Sequence, residues 1–370
     1  LVLGLGDSGL AMVRWCVRHG ADVVVVDTRE QPPHLAQLRT QHPSVVFKHA
    51  PFDASLVEGQ PIRAVFKSPG LTPDLVAPVW QAAHAAGLWV GTELSLFAQA
   101  LEELKIDTQY APHVLAITGT NGKTTVTALT GQLLERAGLR VAVAGNIGPT
   151  LLDTLSAALD QEQAQWPQAW VLELSSFQLH QVDTFEPTAA TVLNLTQDHL
   201  DWHGDMQAYA KAKAHIFGKH ACMVLNREDA EVMAMLPAPV AKTKASKRSP
   251  REVMRFGGDT PTQHGDWGLE TVNGMTWLVR ALDVDETRKS RATTEIEIYI
   301  QRLLPVDALR IRGHHIALNA MAALALASTT GAPLAAMLYA LREYRGEPHR
   351  VSSIAVLQDV EYIDDSKGTN

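Results

Sequence analysis

Residues 115–129, LAITGTNGKTTVTAL, predict a strand, a glycine-containing loop and a helix in immediate succession. In such a segment the glycines let backbone N–H groups turn toward phosphate oxygens, and the helix adds the positive end of its dipole. Lys123 can reach terminal phosphates, and the Thr124 hydroxyl can bind Mg²⁺. The loop is shorter than a standard P-loop, since it reads Gly119-Thr-Asn-Gly122-Lys-Thr. It predicts a nucleoside triphosphate site, and a simple strand–helix turn is the alternative.

A second glycine loop opens the chain. Residues 4–9, GLGDSG, match the G-x-G-x-x-G fingerprint of dinucleotide-binding folds, follow a strand-like run and precede a helix-like segment. Asp27 ends the next predicted strand, where such folds place a ribose contact. Alone the motif would indicate NAD, but Thr28 and Arg29 follow, and an arginine suits a phosphate group. The fingerprint predicts a nucleotide without fixing which one, and a purely structural glycine turn stays open.

The composition limits the classes of protein to which the chain can belong. Its 370 residues suggest two or three domains, and a content of 46% hydrophobic and 19% charged residues is typical of a globular protein. The net charge of -8 argues against a general affinity for nucleic acid or anionic membranes, because both favour basic surfaces. No apolar run approaches the roughly 18 residues that span a bilayer, so we expect no membrane insertion.

Neither end of the chain looks complete. Leu1 already lies in a strand-like run, and the chain stops at Asn370 shortly after another such run. No signal peptide is visible. Cys16 and Cys222 form neither a CxxC pair nor a disulfide framework, so we expect reduced thiols in a cytoplasm.

The order of strand-like and helix-like segments predicts an α/β protein in three parts. Residues 1–111 alternate short buried strands with helices, which is typical of a Rossmann-like domain. The pattern breaks near Pro112, and residues 112–347 form a second, P-loop-type α/β unit. Residues 348–370 begin a third α/β unit.

Within the second unit, HVLAITG, RVAVAGN, AWVLELSS and AATVLNLT predict strands, with helices that begin at Lys123, Thr150 and about Met206. The pattern changes from about 240 to 310, where GLETVNGMTWLV and TTEIEIYIQRL are typical of antiparallel strands. We interpret this region as a β-rich appendage. The run GHHIALNAMAALALAS after it predicts a compact helix.

Acidic and histidine side chains follow two predicted strands of the second unit. Glu173 ends one strand, where such folds place a carboxylate linked to Mg²⁺; a solvated strand-end glutamate is the alternative. The run DHLDWH places His199 and His203 four residues apart, as in a zinc pair, but no third ligand completes that pattern. Lys211 and Lys213 follow on a helix, and pattern alone assigns them to the surface.

Taken together, these motifs resemble the Mur ligase family. The resemblance rests on GLGDSG, DTR, SPGL, ITGTNGKTT, GNIG, VLELSSFQL, LNLTQDHLDWHG, PHR and DDSKGTN, which occur in family order. They cover almost the whole chain apart from residues 240–310. The opening GLGDSG…DTR and the ELSSFQL run favour the members that add D-glutamate over relatives with different first domains.

The resemblance implies that each part has its own task. Residues 1–111 would bind the UDP part of the substrate, residues 112–347 would form the central ATP-binding domain with its β-rich appendage, and residues 348–370 would start a truncated C-terminal ligase domain. The residues implied to bind the UDP-substrate are Asp7, Ser8, Asp27, Thr28, Arg29, Ser68, Pro69, Gly70, Asn146 and Ser175.

The implied reaction is the ATP-dependent ligation of D-glutamate to UDP-N-acetylmuramoyl-L-alanine, in the cytoplasmic synthesis of bacterial peptidoglycan precursors, by a monomer. The alanyl carboxylate would attack the ATP γ-phosphate, and the amine of D-glutamate would displace phosphate from the resulting acyl phosphate. Because a carboxylate and a polyanion repel each other, Lys123 and two Mg²⁺ ions must offset the negative charge. The implied catalytic residues are Lys123, Glu173, His199 and Lys213, and the implied metal contacts are Thr124, Glu173, His199 and a carbamylated Lys213.

The resemblance also implies a set of ATP contacts. These are Gly119, Thr120, Asn121, Gly122, Lys123, Thr124, Thr125, Asn319, Arg350, Asp365 and Lys367. Thr369 matches a D-glutamate contact. The usual His-Asn-x-x-Asn pattern of the family is broken, because Ile316 stands at the first Asn position, and this puts one adenine-side hydrogen bond in doubt.

Two other interpretations stay open. A folylpolyglutamate synthase belongs to the same superfamily, but that class lacks the N-terminal GLGDSG domain. A chain without most of its third domain could also bind the UDP-sugar without turnover.

Overall fold

Two largely parallel sheets and a separate hairpin form the framework of the protein. The structure is a computed structural model that describes residues 1–237, 251–284, 298–311, 313–347, 352–358, 360–364 and 366. Within these residues the elements alternate between strand and helix, which confirms the predicted α/β class. No helix in the described part of the chain is both long and apolar enough to span a bilayer.

The first sheet has five parallel strands in the order β3-β2-β1-β4-β5. Its strands are β1 (Val2–Leu3), β2 (Val24–Asp27), β3 (Val46–His49), β4 (Ala64–Lys67) and β5 (Trp89–Gly91). The chain reverses its direction of growth between β1 and β4, so the loops after these two strands meet at a crevice. In open α/β sheets this switch point is where ligands bind.

The helices of this first unit connect its strands and lead to the second sheet. They are α1 (Asp7–Arg18), α2 (Leu35–Gln41), α3 (Pro73–Ala85) and α4 (Glu93–Thr108), with a short 3₁₀ turn at Ala54–Leu56. Helix α1 starts at Asp7, inside the GLGDSG motif, so the motif opens a helix as the fingerprint predicts. The third glycine of the motif, Gly9, lies on α1 close to the end of β1. A Cβ atom at Gly9 would collide with the carbonyl oxygen of Gly4, the residue that follows β1.

The second sheet has nine strands in the order β14-β13-β12-β11-β10-β9-β6-β8-β7. The strands are β6 (His113–Thr118), β7 (Val141–Gly145), β8 (Ala169–Glu173), β9 (Ala189–Val192), β10 (Cys222–Asn226), β11 (Val253–Phe256), β12 (Trp267–Val272), β13 (Met275–Asp283) and β14 (Ile298–Pro305). Pairing is parallel from β7 to β12 and antiparallel among β12, β13 and β14. Antiparallel strands are thereby confirmed at the described residues of GLETVNGMTWLV and TTEIEIYIQRL, and they extend the main sheet, whereas residues 293–297 of the second run lie outside the described part of the chain.

Helices cover both faces of this second sheet. They are α5 (Lys123–Arg136), α6 (Leu151–Leu159), α7 (Ser176–Leu179), α8 (Leu200–His203), α9 (Met206–Ala214), α10 (Ala230–Met233), α11 (His314–Ser328) and α12 (Leu334–Glu343), with 3₁₀ turns at Gln163–Gln165, His215–Phe217 and Val306–Ala308. The predicted helix starts at Lys123, Thr150 and about Met206 agree with α5, α6 and α9 to within one residue. A hairpin of β15 (Ser352–Leu357) and β16 (Val360–Asp364) follows.

The two units are joined through α1, α4 and α6. Arg14 on α1 pairs with Asp153 on α6 at 2.9 Å, and one continuous apolar cluster contains residues of both sheets. The carboxylate of Glu93, at the start of α4, is buried and accepts hydrogen bonds from the Leu152 amide at 3.1 Å and from the Ser8 hydroxyl. The first glycine loop is therefore mechanically linked to the start of α6.

Replacement of Gly9 by alanine tests the close approach of α1 to β1. We expect Gly9→Ala to destabilise the fold by about 1–3 kcal/mol, because the added methyl group forces the helix away from the strand. Thermal unfolding followed by circular dichroism measures this effect. The matched control is Gly6→Ala, since a Cβ atom at Gly6 meets no atom within 4 Å. Equal melting temperatures for the two variants would contradict the proposed packing.

Candidate active site

The loop between β6 and α5 is held in shape by the segment that follows β9. The Thr120 amide donates to the Asn194 carbonyl at 3.0 Å, and the Asn121 amide donates to the Asn194 side chain at 2.8 Å. The Thr120 hydroxyl lies 3.1 Å from the Tyr209 hydroxyl and accepts the Thr196 amide at 3.0 Å. Thr120 is thus an anchor of the loop, because both its amide and its hydroxyl are engaged within the protein.

The glycines of this loop have conformations that favour glycine. Gly119 and Gly122 have φ values of 155° and 82°, in the region that other residues rarely adopt. A Cβ atom on Gly122 would lie 3.0 Å from the Asn319 side-chain oxygen, so α11 lies directly against the loop. Ile316, Asn319 and Thr125 line one small cleft beside it. Ile316 and Asn319, which stand at the two Asn positions of the family's His-Asn-x-x-Asn pattern, therefore lie next to the predicted triphosphate loop.

Two lysine side chains meet at this loop. The Lys123 ammonium donates to the carbonyls of Gly119 at 3.0 Å and Thr120 at 2.9 Å. The Lys213 amine, on α9, donates to the same Gly119 carbonyl at 2.9 Å and to the Thr118 hydroxyl at 3.2 Å. Burial first, and then the nearby charge of Lys123, lower the pKa of Lys213 well below its usual value. Burial and the neighbouring cation thus favour the neutral amine over the charged form more than at an exposed lysine.

The assignment of Lys213 to the surface from pattern alone is wrong. Its side chain is only 2% exposed, whereas Lys211 on the same helix is exposed, as predicted. Hydrophobic periodicity misses this burial because α9 is short and nearly featureless in its pattern of alanines and lysines. The family resemblance assigned the carbamylated lysine to Lys213, and Lys213 is the buried residue of the pair, while its carbamylation stays a prediction.

Glu173, at the end of β8, is buried and faces the loop that follows β7. Its carboxylate accepts a hydrogen bond from the Asn146 side chain at 3.0 Å, and its carbonyl accepts the Asn146 amide at 2.7 Å. The exposure of Glu173 is 1%, so its interpretation as a solvated strand-end glutamate is wrong. Ser175 caps α7 through a reciprocal pair of hydrogen bonds with Gln178.

His199 sits at the start of α8 in a left-handed backbone conformation, with φ of 52°. Its amide donates to the Asp198 carboxylate at 2.9 Å, and its ring packs on Phe177 with centroids 4.7 Å apart. The neighbouring His203 instead bonds the Ser176 hydroxyl at 2.9 Å. No group of three His, Cys, Asp or Glu side chains that could hold a metal occurs among the described residues, so the four-residue spacing does not produce a ready-made zinc site there.

The residues around the loop fit Mg²⁺ better than a metal that requires a full protein cage. Mg²⁺ is usually held by one or two carboxylates together with phosphate oxygens and water. The Thr124 hydroxyl at the first turn of α5 and the buried carboxylate of Glu173 provide hard oxygen ligands of this kind. Lys213 would add an anionic oxygen only after carbamylation.

The first glycine loop is built around one buried carboxylate. Asp27 accepts the Leu5 amide at 2.8 Å, the Arg29 amide at 2.9 Å and two guanidinium N–H groups of Arg29 at 2.9 and 2.8 Å. Burial alone would raise the pKa of Asp27, but these hydrogen bonds outweigh it and lower the net pKa. All four lone-pair positions of the carboxylate are occupied. Asp27 therefore fixes the loop and Arg29 in place.

The other residues predicted to bind the UDP-substrate near the first glycine loop lie around the crevice between β1 and β4. Residues 68–70, Ser-Pro-Gly, form a turn after β4 that we call the SPG turn. The Ser68 hydroxyl donates to the Gly4 carbonyl at 3.0 Å and so connects this turn to the glycine loop. Asp7 is exposed and pairs with His34 at 2.7 Å. Thr28 is exposed beside Arg29, and Gly70 is exposed in the turn that contains Pro69. The predicted UDP-binding residues up to Gly70 are thus brought together at the switch point of the first sheet.

Four predicted residues lie outside the part of the chain that the structure describes. They are Arg350, Asp365, Lys367 and Thr369. Sequence reasoning also missed residues that shape the site. These are Lys67, Glu93, Asn194 and Tyr209. A signal existed for Lys67 and Glu93, because each is a charged residue just after a short apolar run, at the carboxyl end of a strand, where an α/β sheet places its functional groups.

Comparison with known protein families gives two matches. Residues 117–327 match the Mur ligase middle domain, and residues 1–91 match the MurD-like N-terminal domain of Mur ligases. Two solved structures share the fold. A UDP-N-acetylmuramate:L-alanyl-gamma-D-glutamyl-meso-diaminopimelate ligase from Neisseria meningitides has a TM-score of 0.52 at 18% identity, over 93% of this chain and 97% of the other. A UDP-N-acetylmuramoyl-L-alanyl-D-glutamate--2,6-diaminopimelate ligase has a TM-score of 0.53 at 23% identity, over 91% and 63%.

Curated relatives are much more similar in sequence. A UDP-N-acetylmuramoylalanine--D-glutamate ligase from Albidiferax ferrireducens is 60% identical over 370 residues, which is all of this chain and 72% of that protein. Proteins of the same name from Paraburkholderia phymatum and Burkholderia mallei are 53% and 54% identical, again over all of this chain and over 73% and 74% of their own lengths. On these matches, the chain belongs to the Mur ligase family.

Proposed function

We propose that this protein ligates D-glutamate to UDP-N-acetylmuramoyl-L-alanine at the expense of ATP, as a step of peptidoglycan synthesis. The observation that carries the proposal is the presence of two separate phosphate-type loops, each at the switch point of its own sheet. Relatives that are 51–60% identical are named for this reaction. The match to a MurD-like N-terminal domain disfavours a folylpolyglutamate synthase.

The two loops divide the ligands between them. We assign the uridine nucleotide to the crevice formed by the GLGDSG loop, Arg29 and the SPG turn, with Asp27 as the residue that holds Arg29. We assign ATP to the loop at Gly119–Lys123, beside Asn319. The corresponding domains are residues 1–111 and 112–347, and residues 348–370 start a third. This separation explains why one chain carries two such loops.

The chemistry at the second loop requires cations. The alanyl carboxylate and the ATP γ-phosphate are both anionic, so their approach is unfavourable unless positive charge lies beside them. Lys123 provides one such charge from the first residue of α5. When bound, Mg²⁺ neutralises phosphate charge and orients the oxygens. We propose two ions, with Thr124, Glu173 and His199 among their contacts.

Lys213 is proposed to act as a carbamate. Its amine is buried and its pKa is lowered, so the neutral form that adds to CO₂ is accessible. The addition forms an N–C bond and releases one proton, and the product carries an anionic carboxylate where the lysine carried a cation. This reversal of charge next to Lys123 removes the repulsion between the two ammonium groups. It also provides an oxygen ligand of the kind that Mg²⁺ prefers.

The proposed reaction has two steps. In the first step, the alanyl carboxylate attacks the γ-phosphate of ATP, and ADP leaves. In the second step, the neutral amine of D-glutamate attacks the acyl phosphate, phosphate leaves, and the nitrogen loses one proton as the amide forms. We propose that Asn146, which donates a hydrogen bond to the Glu173 carboxylate, contacts the UDP-substrate. We further propose that Arg350, Asp365 and Lys367 contact ATP, that Thr369 contacts D-glutamate, and that the enzyme works in the cytoplasm as a monomer.

A phosphate-release assay tests the function directly. With the full-length protein, ATP, Mg²⁺ and UDP-N-acetylmuramoyl-L-alanine, we expect release only when D-glutamate is present. L-alanine, L-lysine and meso-diaminopimelate serve as matched acceptors for the sister activities. Release with one of these amino acids in place of D-glutamate would reassign the protein within the family, and release with none would refute the proposal.

Lys123→Ala tests the division of labour between the loops. We expect the rate of acyl-phosphate formation to fall by at least about 100-fold, because one charge that stabilises the transferring phosphoryl group is lost. The dissociation constant of UDP-N-acetylmuramoyl-L-alanine, measured by calorimetry, should change by less than about twofold, within the reproducibility of such measurements. A comparable loss of both would show that the two ligands do not occupy separate sites.

Lys213→Ala tests the carbamate. Activity should fall by at least about 100-fold and should recover in part when acetate or formate is added, because a small carboxylate can fill the vacated position. Lys211→Ala is the matched control on the exposed side of the same helix and should keep full activity. If Lys213→Ala stays folded by circular dichroism and no carboxylate restores activity, the carbamate assignment is wrong.

A further inference from the structure

Lys67 is a buried lysine at the junction of the two units. It is the last residue of β4, and its side chain is only 2% exposed. The next residue, Ser68, donates to the Gly4 carbonyl of the first glycine loop at 3.0 Å. The ammonium group therefore lies beside the crevice to which we assign the uridine nucleotide.

No carboxylate within the described residues pairs with Lys67. Its Nζ atom donates to the Leu71 carbonyl at 3.4 Å and lies over the ring of Trp202, 5.6 Å from the ring centre. Burial lowers the pKa of this ammonium group to about 8, so it is still largely charged at neutral pH. A buried charge without an anion is unfavourable, and proteins rarely keep one unless it has a partner during function.

Two further polar atoms at this junction lack partners in the described structure. They are Nε1 of Trp202 and Nδ1 of His180, and both are shielded from solvent. The rings of His180 and Trp202 meet edge to face with centroids 5.0 Å apart. Burial first, and then the charge of Lys67, lower the pKa of His180 to about 4, so this imidazole is neutral at pH 7. Among the described residues, the junction thus contains one cation without a carboxylate partner and one indole N–H without an acceptor.

The position of Trp202 connects this junction to the second loop. Its ring packs on Phe177 with centroids 4.9 Å apart, and Phe177 packs on His199 at 4.7 Å. Lys67 and Trp202 therefore lie between the first glycine loop on one side and His199 on the other.

We propose that Lys67 and the indole N–H of Trp202 bind the diphosphate of the UDP-substrate. This inference rests on the proposed function. The substrate carries negative charge at its diphosphate and at its terminal carboxylate, and the carboxylate has to reach the ATP γ-phosphate. The diphosphate is attached directly to the uridine, so it has to lie next to the uridine crevice. Lys67 is also next to that crevice, because it directly precedes the SPG turn. Binding would give the buried ammonium the anion that the described residues do not provide.

Calorimetric titrations with uridine, UMP, UDP and UDP-N-acetylmuramoyl-L-alanine test this assignment. Lys67→Met keeps the length and apolar contacts of the side chain and removes its charge, so packing on Trp202 is retained. We expect its affinity for UDP and for the substrate to fall about tenfold or more, with uridine affinity unchanged, because only the phosphate-bearing ligands lose a charge-assisted hydrogen bond. Trp202→Phe keeps an aromatic ring and removes the N–H, and it should show a smaller loss with the same ligand dependence.

The controls separate this proposal from the function on which it rests. Lys105→Met removes an exposed lysine of α4 that pairs with Glu102, and it should change no affinity. If wild type and Lys67→Met bind UDP equally, or if Lys67→Met loses uridine and UDP equally, Lys67 does not bind the diphosphate, although the first loop remains a uridine site. If the wild type binds ATP but none of the four uridine compounds, the first-loop assignment itself fails and this proposal fails with it. Should Lys67→Met not fold, Trp202→Phe decides by the same comparison.

Discussion

Two lysine side chains converge on the carbonyl oxygen of Gly119, at 3.0 Å from Lys123 and 2.9 Å from Lys213, and the rest of the site follows from that contact. Two ammonium groups at one acceptor repel each other, and burial makes the repulsion costly. The molecule can relieve it by neutralising Lys213, by carbamylating it, or by binding a polyanion. In the proposed mechanism the neutral amine is the form that becomes the carbamate, the carbamate provides an oxygen ligand, and the polyanion is ATP. The strain is held in place because Asn194 and Tyr209 fix the loop from the neighbouring segment.

The two sheets determine where such charges can be concentrated. Each has a switch point at which loops from the carboxyl ends of neighbouring strands meet, and each switch point carries a glycine loop. The contact between α1 and α6, with Arg14 and Asp153 paired across it, joins the two units. Glu93 connects Ser8 of the first loop to the amide end of α6. On the proposed assignment, the UDP-substrate spans this junction from the first loop to the second.

Much of this arrangement could be predicted from the sequence. Strand runs such as ADVVVVD and the glycine fingerprints carry strong local signals, so β1, β2, β6 and their loops were expected at the correct places. Glu173 and His199 were identified as candidates, although their local pattern did not distinguish burial from exposure. The burial of Lys213 and Lys67 could not be read from the local pattern, because the burial of a lysine on a short helix or at a strand end depends on which unit packs over it. The hydrogen bonds between Asn194 and Asn121 of the loop also join distant parts of the chain, so the local sequence could not predict them.

The central claim is that the two nucleotides occupy separate cradles and that only the Lys123 loop transfers a phosphoryl group. A crystal structure of the full-length protein with a non-hydrolysable ATP analogue, Mg²⁺ and UDP-N-acetylmuramoyl-L-alanine tests it most directly. The account predicts triphosphate density at the amides of Gly122 to Thr124, and uridine density between Arg29 and the SPG turn. Triphosphate density beside Gly6, with none at Gly122, would contradict it.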